Sequence, residues 1–118
     1  MGGKGFGKRI GRTALALVAG VAALGTAAPG PSQSGVTVRL FQFTPGQIEV
    51  PAGTRVTWTN QDDIAHTVTS GTPERREDRF DAALAGKGAT ASVELREPGV
   101  YPYFCNRHQS MRGEIRVK

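Results

Sequence analysis

Cys105, His108 and Met111 follow one another at intervals of three in the run Tyr101-Pro102-Tyr103-Phe104-Cys105-Asn106-Arg107-His108-Gln109-Ser110-Met111-Arg112-Gly113. A thiol, an imidazole and a thioether are soft or borderline metal ligands. At that spacing a tight loop can turn all three onto one point. A fourth ligand must come from elsewhere, and the sequence holds only two histidines, which leaves His66. Two histidines, one cysteine and a methionine are the set for a trigonal copper site with a weak axial thioether. Thiolate and thioether favour Cu(I), imidazole suits Cu(II), and a fixed compromise lets one electron come and go with little rearrangement. Zinc is the other metal that cysteine and histidine bind. Structural zinc uses four Cys/His ligands, and here the fourth would be Met111, which makes zinc the weaker choice.

Each of these residues, taken singly, has a duller explanation. A lone cysteine is usually a small buried hydrophobe, and a lone methionine is usually core filler. A lone His66 is more often structural or exposed than a ligand. Together the single cysteine, both histidines and a methionine would have to fall into this arrangement by accident. With one cysteine there is no internal disulfide. In an exported protein an unpaired thiol is open to oxidation unless it has a role.

Export is read from the N-terminus. Lys4, Lys8, Arg9 and Arg12 precede an uncharged run from Thr13 to Ala28, which ends in Gly25-Thr26-Ala27-Ala28. This is the order of a secretory signal. The run is shorter than the roughly twenty residues needed to span a bilayer, so cleavage is favoured over an uncleaved anchor. Residues 1–28 are therefore assigned as signal segment and 29–35, rich in Pro, Gly and Ser, as linker. The expected location is the periplasm or the outer face of the cytoplasmic membrane, with membrane attachment only if the segment is retained.

The elements that must position the ligands lie in residues 36–118. The chain has 118 residues, enough for one domain. With 38% hydrophobic and 21% charged residues it has globular composition. The net charge of +5 misleads, because four cations sit in the N-terminal segment; beyond them cations outnumber acids by one. No basic stripe is left for a phosphate backbone, so nucleic acid is not an expected partner. From Val36 onward the pattern has period two. Val36, Val38 and Leu40 alternate with Thr37 and Arg39; Val56 and Trp58 with Thr57 and Thr59; Val93 and Leu95 with Glu94; Ile115 and Val117 with Arg116. Tyr101, Tyr103 and Cys105 share a face, and Ile48 and Val50 flank Glu49. Such alternation marks half-buried strands, and Pro/Gly turns separate them. The exception is Thr72 to Ala85, read as a short helix or a charged loop. The expected fold is all-β, a two-sheet sandwich.

Two stretches carry a resemblance. One reads Phe43-x-Pro45-x-x-Ile48-x-Val50-x-x-Gly53-x-x-Val56-x-Trp58-x-Asn60, with His66 six residues later; the other runs from Phe80-Asp81 to Gly99-x-Tyr101-x-Tyr103-x-Cys105-x-x-His108-x-x-Met111-Arg112-Gly113. The chain from about Val36 to Lys118 resembles the cupredoxins, the small blue copper proteins that include plastocyanin, pseudoazurin and amicyanin. The short ligand loop is most similar to amicyanin. The resemblance implies a Greek-key β-sandwich with one copper ion at one end, and a diffusible one-electron carrier rather than an enzyme. It implies that His66 and His108 bind copper through Nδ1, Cys105 as thiolate and Met111 as axial ligand. Asn60 would tie the loop carrying His66 to the Cys105 loop near Asn106. The N–H of Thr67 would point at the Cys105 sulfur, and such bonds tune metal sites.

The sequence departs from amicyanin at Arg107, which stands where amicyanin has proline. Proline has no N–H and arginine has one; a second hydrogen bond to Cys105 from Arg107 is the expected consequence. Pro102, inside a strand, implies an edge position or a bulge. Redox partners would dock transiently around His108, on an apolar rim including Ile64, Ala65 and Pro45, with Arg107 and Arg112 adding positive charge. A monomer is expected. Copper storage or delivery, and a sandwich that has lost its metal, are the rival classes.

Overall fold

Nine strands follow from the alternation, in a computed structural model that describes residues 32–118. They are β1 (Gln33–Arg39), β2 (Gln42–Thr44), β3 (Gln47–Val50), β4 (Thr54–Asn60), β5 (His66–Thr72), β6 (Arg75–Leu84), β7 (Thr90–Leu95), β8 (Gly99–Phe104) and β9 (Arg112–Val117). One sheet has the order β2-β1-β4-β7 and the other β3-β9-β8-β5-β6. Both are mixed: β1 runs parallel to β4 and β3 parallel to β9, and the other pairs are antiparallel. No helix occurs among the described residues. The all-β sandwich is the fold expected from the patterning.

The two sheets bury their apolar faces against each other. Val36, Val38, Val56, Trp58 and Leu95 come from the first sheet, and Val68, Leu84, Tyr101, Tyr103, Ile115 and Val117 from the second. Trp58 and Tyr103 meet across the interface as a T-shaped pair with centroids 5.3 Å apart, a favoured aromatic geometry. Gly113, on β9 opposite Tyr103, makes this possible, because a Cβ there would run into Tyr103 Cζ and Oη. Tyr103 pays for its position in one respect: its hydroxyl and Trp58 Nε1 are buried without a hydrogen-bond partner among the described residues. Burial pushes the Tyr103 phenol up to about 12.

Three expectations are corrected here, and one lies outside the described residues. The signal segment 1–28 and the first part of the linker lie outside the described residues. The rest of the linker does not behave as one, because Gln33–Gly35 already belong to β1 and pair with Arg55–Thr57. Leu40 does not continue the inward face of β1. Arg39 pairs with Gln42, and Leu40 and Phe41 form the two-residue connection between β1 and β2, with φ of 52° and 58°. Thr72–Ala85 is neither helix nor free loop. β6 pairs with β5 through a bulge between Thr69 and Gly71, and Gly71, at φ 98°, has no room for a Cβ against the Arg75–Glu77 backbone. Its charged residues face solvent because β6 is a sheet edge, and charge protects an edge from pairing with other chains. Pro102 takes the edge position expected of it, although β8 as a strand is not at the sheet edge. β8 is internal, but its pairing with β5 covers only Tyr103 and Phe104. Pro102 sits beyond it, where the missing N–H leaves no ladder bond unmade.

Candidate metal centre

Two strand ends of one sheet bring the candidate ligands together. β5 and β8 are antiparallel neighbours with Thr69 opposite Phe104. One further step along this register sets Cys105 beside Val68, two residues from His66, the first residue of β5. The chain then turns through Asn106–Ser110 and returns as β9. Two backbone bonds close that loop: Cys105 N–H donates to Met111 O (3.0 Å) and Met111 N–H to His108 O (2.9 Å). The Nδ1 atoms of His66 and His108 lie 3.6 and 3.9 Å from Cys105 Sγ. All three donor atoms fall within 4.8 Å of one another. His66, Cys105 and Met111 are buried and His108 is half-buried. Three donors sharing a plane with one ion at roughly 2.1 Å would stand about 3.6 Å apart, taking zinc bond lengths as a guide. The thiol, two imidazoles and the buried Met111 beside them are the donor set that suits copper.

The residues expected around the ligands are placed differently from one another. Thr67 N–H points at Cys105 Sγ at 3.4 Å. Asn106 N–H donates to Thr67 Oγ1 at 2.8 Å, so Thr67 joins the two loops through both its backbone and its hydroxyl. Asn60 does not reach Asn106. Its amide donates to Ile64 O (2.9 Å) and Leu84 O (3.3 Å), and its Oδ1 accepts from Asp62 N–H (2.9 Å). It braces the loop carrying His66 from within and ties it to the end of β6. Arg107 N–H makes no bond to Sγ among the described residues, where the backbone donor to the sulfur is Thr67. Arg112 does not add free charge to the rim. Its guanidinium binds both carboxylate oxygens of Glu74 (3.3 and 3.1 Å) and its Nε donates to Gln109 O (3.3 Å).

Two functional neighbours escaped sequence reasoning. Asp62 Oδ2 lies 2.8 Å from His66 Nε2, and the same carboxylate accepts from the N–H groups of Leu40 (2.7 Å) and Phe41 (3.0 Å). Burial pushes the Asp62 carboxyl up, but the Phe41 N–H, the His66 ring and the Leu40 N–H outweigh it and hold it below the usual carboxylate value. An ionised carboxylate only accepts, so Nε2 is the ring nitrogen that donates to Asp62, which leaves Nδ1, the nitrogen facing the sulfur, as the one available to a metal. Carboxylates behind ligating histidines act this way in metal sites. An acid four residues before a histidine was the available signal, but nothing separated Asp62 from Asp63. The second neighbour is Phe41, whose ring meets His108 edge-on at 4.8 Å and His66 at 5.3 Å. Its backbone, with that of Leu40, is in the left-handed region, which costs non-glycine residues about 1–3 kcal/mol each. The period-two pattern hid this turn by running on to Leu40. Leu40, Phe41 and Ile64 are all exposed.

Residues 32–118 match the copper-binding proteins of the plastocyanin/azurin family. The chain is 30% identical over 103 residues to amicyanin-alpha of Methylorubrum extorquens, covering 87% of this chain and 86% of that one. A purple cupredoxin from Nitrosopumilus maritimus superposes with a TM-score of 0.67 at 26% identity, over 72% of this chain and 99% of that one. A copper-containing nitrite reductase from Thermus scotoductus gives 0.68 at 27% identity, over 80% of this chain but 24% of the reductase. Sequence, fold and the convergence of sulfur and imidazole agree: the chain belongs to the plastocyanin/azurin family of copper-binding proteins.

Proposed function

We propose that this protein is an exported one-electron carrier, with one copper ion held by His66, Cys105, His108 and Met111. The observation that carries this reading is the convergence of Cys105 Sγ and two imidazole Nδ1 atoms within 4.8 Å. Bound copper supplies the Cu(II)/Cu(I) couple. The chain's own part is to keep the donor atoms in place while the charge changes. Asp62 orients His66, and Thr67 donates to the sulfur and ties its loop to Asn106. Half-buried His108 offers the route to the surface, where exposed Phe41 and Ile64 form an apolar rim suited to brief docking with a redox partner. Arg107, exposed and without an ion pair among the described residues, favours an acidic partner. The carrier reading is preferred to an enzyme because the metal cluster uses the only cysteine and both histidines. No Cys/His nucleophile–base pair remains for acid–base chemistry.

The test is to add Cu(II) to the purified protein and follow its colour. Intense absorption that a mild reductant bleaches and an oxidant restores supports the carrier. Slow, chelator-labile uptake without such cycling points to storage, and no uptake removes the copper reading. Mass spectrometry of the N-terminus of protein from native cells tests export: an intact Met1–Ala28 segment would refute cleavage.

A further inference from the structure

We propose that Phe41 is a positioning residue for His108, an aromatic latch that holds the outer imidazole over the metal site. This rests on the copper reading. The ring stands perpendicular to both imidazoles, at 4.8 Å and 90° from His108 and 5.3 Å and 88° from His66. The two imidazoles are themselves 5.1 Å apart, so three rings close one cluster above the sulfur. Edge-to-face pairs of this kind attract beyond the area they bury.

The turn that carries the latch is unusual for its residues. A two-residue hairpin connection with positive φ at both positions ordinarily takes Asn-Gly or Asp-Gly, because a side chain is strained there. Here the residues are Leu40 and Phe41, with φ of 52° and 58°. The surroundings compensate: Asp62 accepts both N–H groups and also binds His66 Nε2. One carboxylate thus fixes the inner imidazole and the backbone under the phenyl ring. His108 has no comparable polar anchor of its own, for among the described residues its ring nitrogens have only Cys105 Sγ, 3.9 Å from Nδ1, as a hydrogen-bonding neighbour. Strain kept at a site by neighbours that over-determine it points to a role for the side chain it presents. The two turn residues divide: Phe41 contacts both imidazoles, whereas the Leu40 side chain is 71% exposed. An apolar docking surface alone would need neither the perpendicular geometry nor the pinned backbone.

The experiment compares wild type with Phe41→Ala, Phe41→Leu, Phe41→Tyr and Leu40→Ala in the full protein. Two quantities are read: the rate at which a Cu(I) chelator strips copper from the reduced protein, and the electron paramagnetic resonance spectrum of the Cu(II) form. Losing two edge contacts is expected to speed release roughly three- to tenfold in both Phe41→Ala and Phe41→Leu and to alter the copper hyperfine splitting. Phe41→Tyr, which keeps the ring, should restore the wild-type rate and spectrum, and Leu40→Ala should match wild type. Phe41→Leu keeps the apolar bulk, so an effect there cannot be ascribed to loss of folding. Wild-type release and spectrum in Phe41→Leu would overturn the latch and leave the copper reading intact. Equal acceleration in Leu40→Ala would also overturn it, by showing that the turn and not the ring matters. A wild-type protein that takes up no copper would overturn both.

Discussion

The two imidazoles of the site are held by different means. His66 opens a β-strand, is buried, and has its second nitrogen tied to Asp62. His108 stands in a loop, half-buried, and meets only the sulfur and two aromatic edges. The inner half of the site is built into a sheet whose hydrogen bonds do not depend on metal. The outer half is a short loop closed by two backbone bonds, which leaves one ligand edge near solvent. In the carrier proposed above, rigidity on one side would keep the donor geometry constant between oxidation states, and access on the other would give an electron a short route to a partner. The contrast shows how one small sandwich can meet both needs.

The strongest way to break this contrast is to remove each imidazole in turn. His66→Ala should abolish the coloured copper complex and also destabilise the metal-free protein by about 2–4 kcal/mol, because it leaves a cavity in place of a buried ring and removes one of the hydrogen bonds that hold Asp62. His108→Ala should abolish the same complex yet cost the metal-free protein less than about 1 kcal/mol, as loop substitutions usually do. Thermal melts of both apo variants decide the matter; equal losses would erase the distinction. Next in size, Asp62→Ala should weaken copper binding by about 10–100-fold, the usual cost of losing a carboxylate behind a ligating histidine. Chelator competition measures this, and unchanged affinity would mean that the strand alone orients His66. Thr67→Val keeps the N–H directed at sulfur but removes the acceptor for Asn106 N–H. It should lower stability by about 1 kcal/mol and speed hydrogen exchange at the Asn106 amide.

The smallest effect is expected at the Glu74–Arg112 pair, which links the β5–β6 turn to the end of the ligand loop. The Arg112 guanidinium, through its hydrogen bonds, holds the Glu74 carboxyl below its ordinary value of 4.5. Any stability the pair adds is therefore present above that pH and is lost as pH falls through the lower folded value. Both side chains are exposed, so salt should screen the contribution. Melting Arg112→Ala beside wild type at pH 7 and pH 3, in low and high salt, should show a small difference only at pH 7 and low salt.

Much of the sandwich was legible because its strands have one wet face. Trp58 between Thr57 and Thr59, or Ile115 between Glu114 and Arg116, leaves little choice of orientation. The pattern misled where its period ran past a strand end, at Leu40, and where charge disguised a strand, in Arg75–Leu84. Neither a two-residue turn of bulky side chains nor a charged sheet edge carries the composition by which such elements are recognised. Asn60 was noticed for its spacing to His66, but its partners proved to be Ile64, Asp62 and Leu84.

By itself the sequence determined the donor chemistry, because one cysteine, two histidines and a methionine at loop spacing leave few other ways to hold a soft metal. It determined the all-β class as well, because period two is a local property of the strand. Only the tertiary structure decided that Asp62 rather than Asp63 stands behind His66, that the Thr67 hydroxyl rather than Asn60 ties the two loops at Asn106, and that the Phe41 ring meets His108. Those contacts join residues 4 to 67 positions apart. Even the shortest depends on how its loop turns, and the others on which strands lie side by side, and no local pattern encodes either.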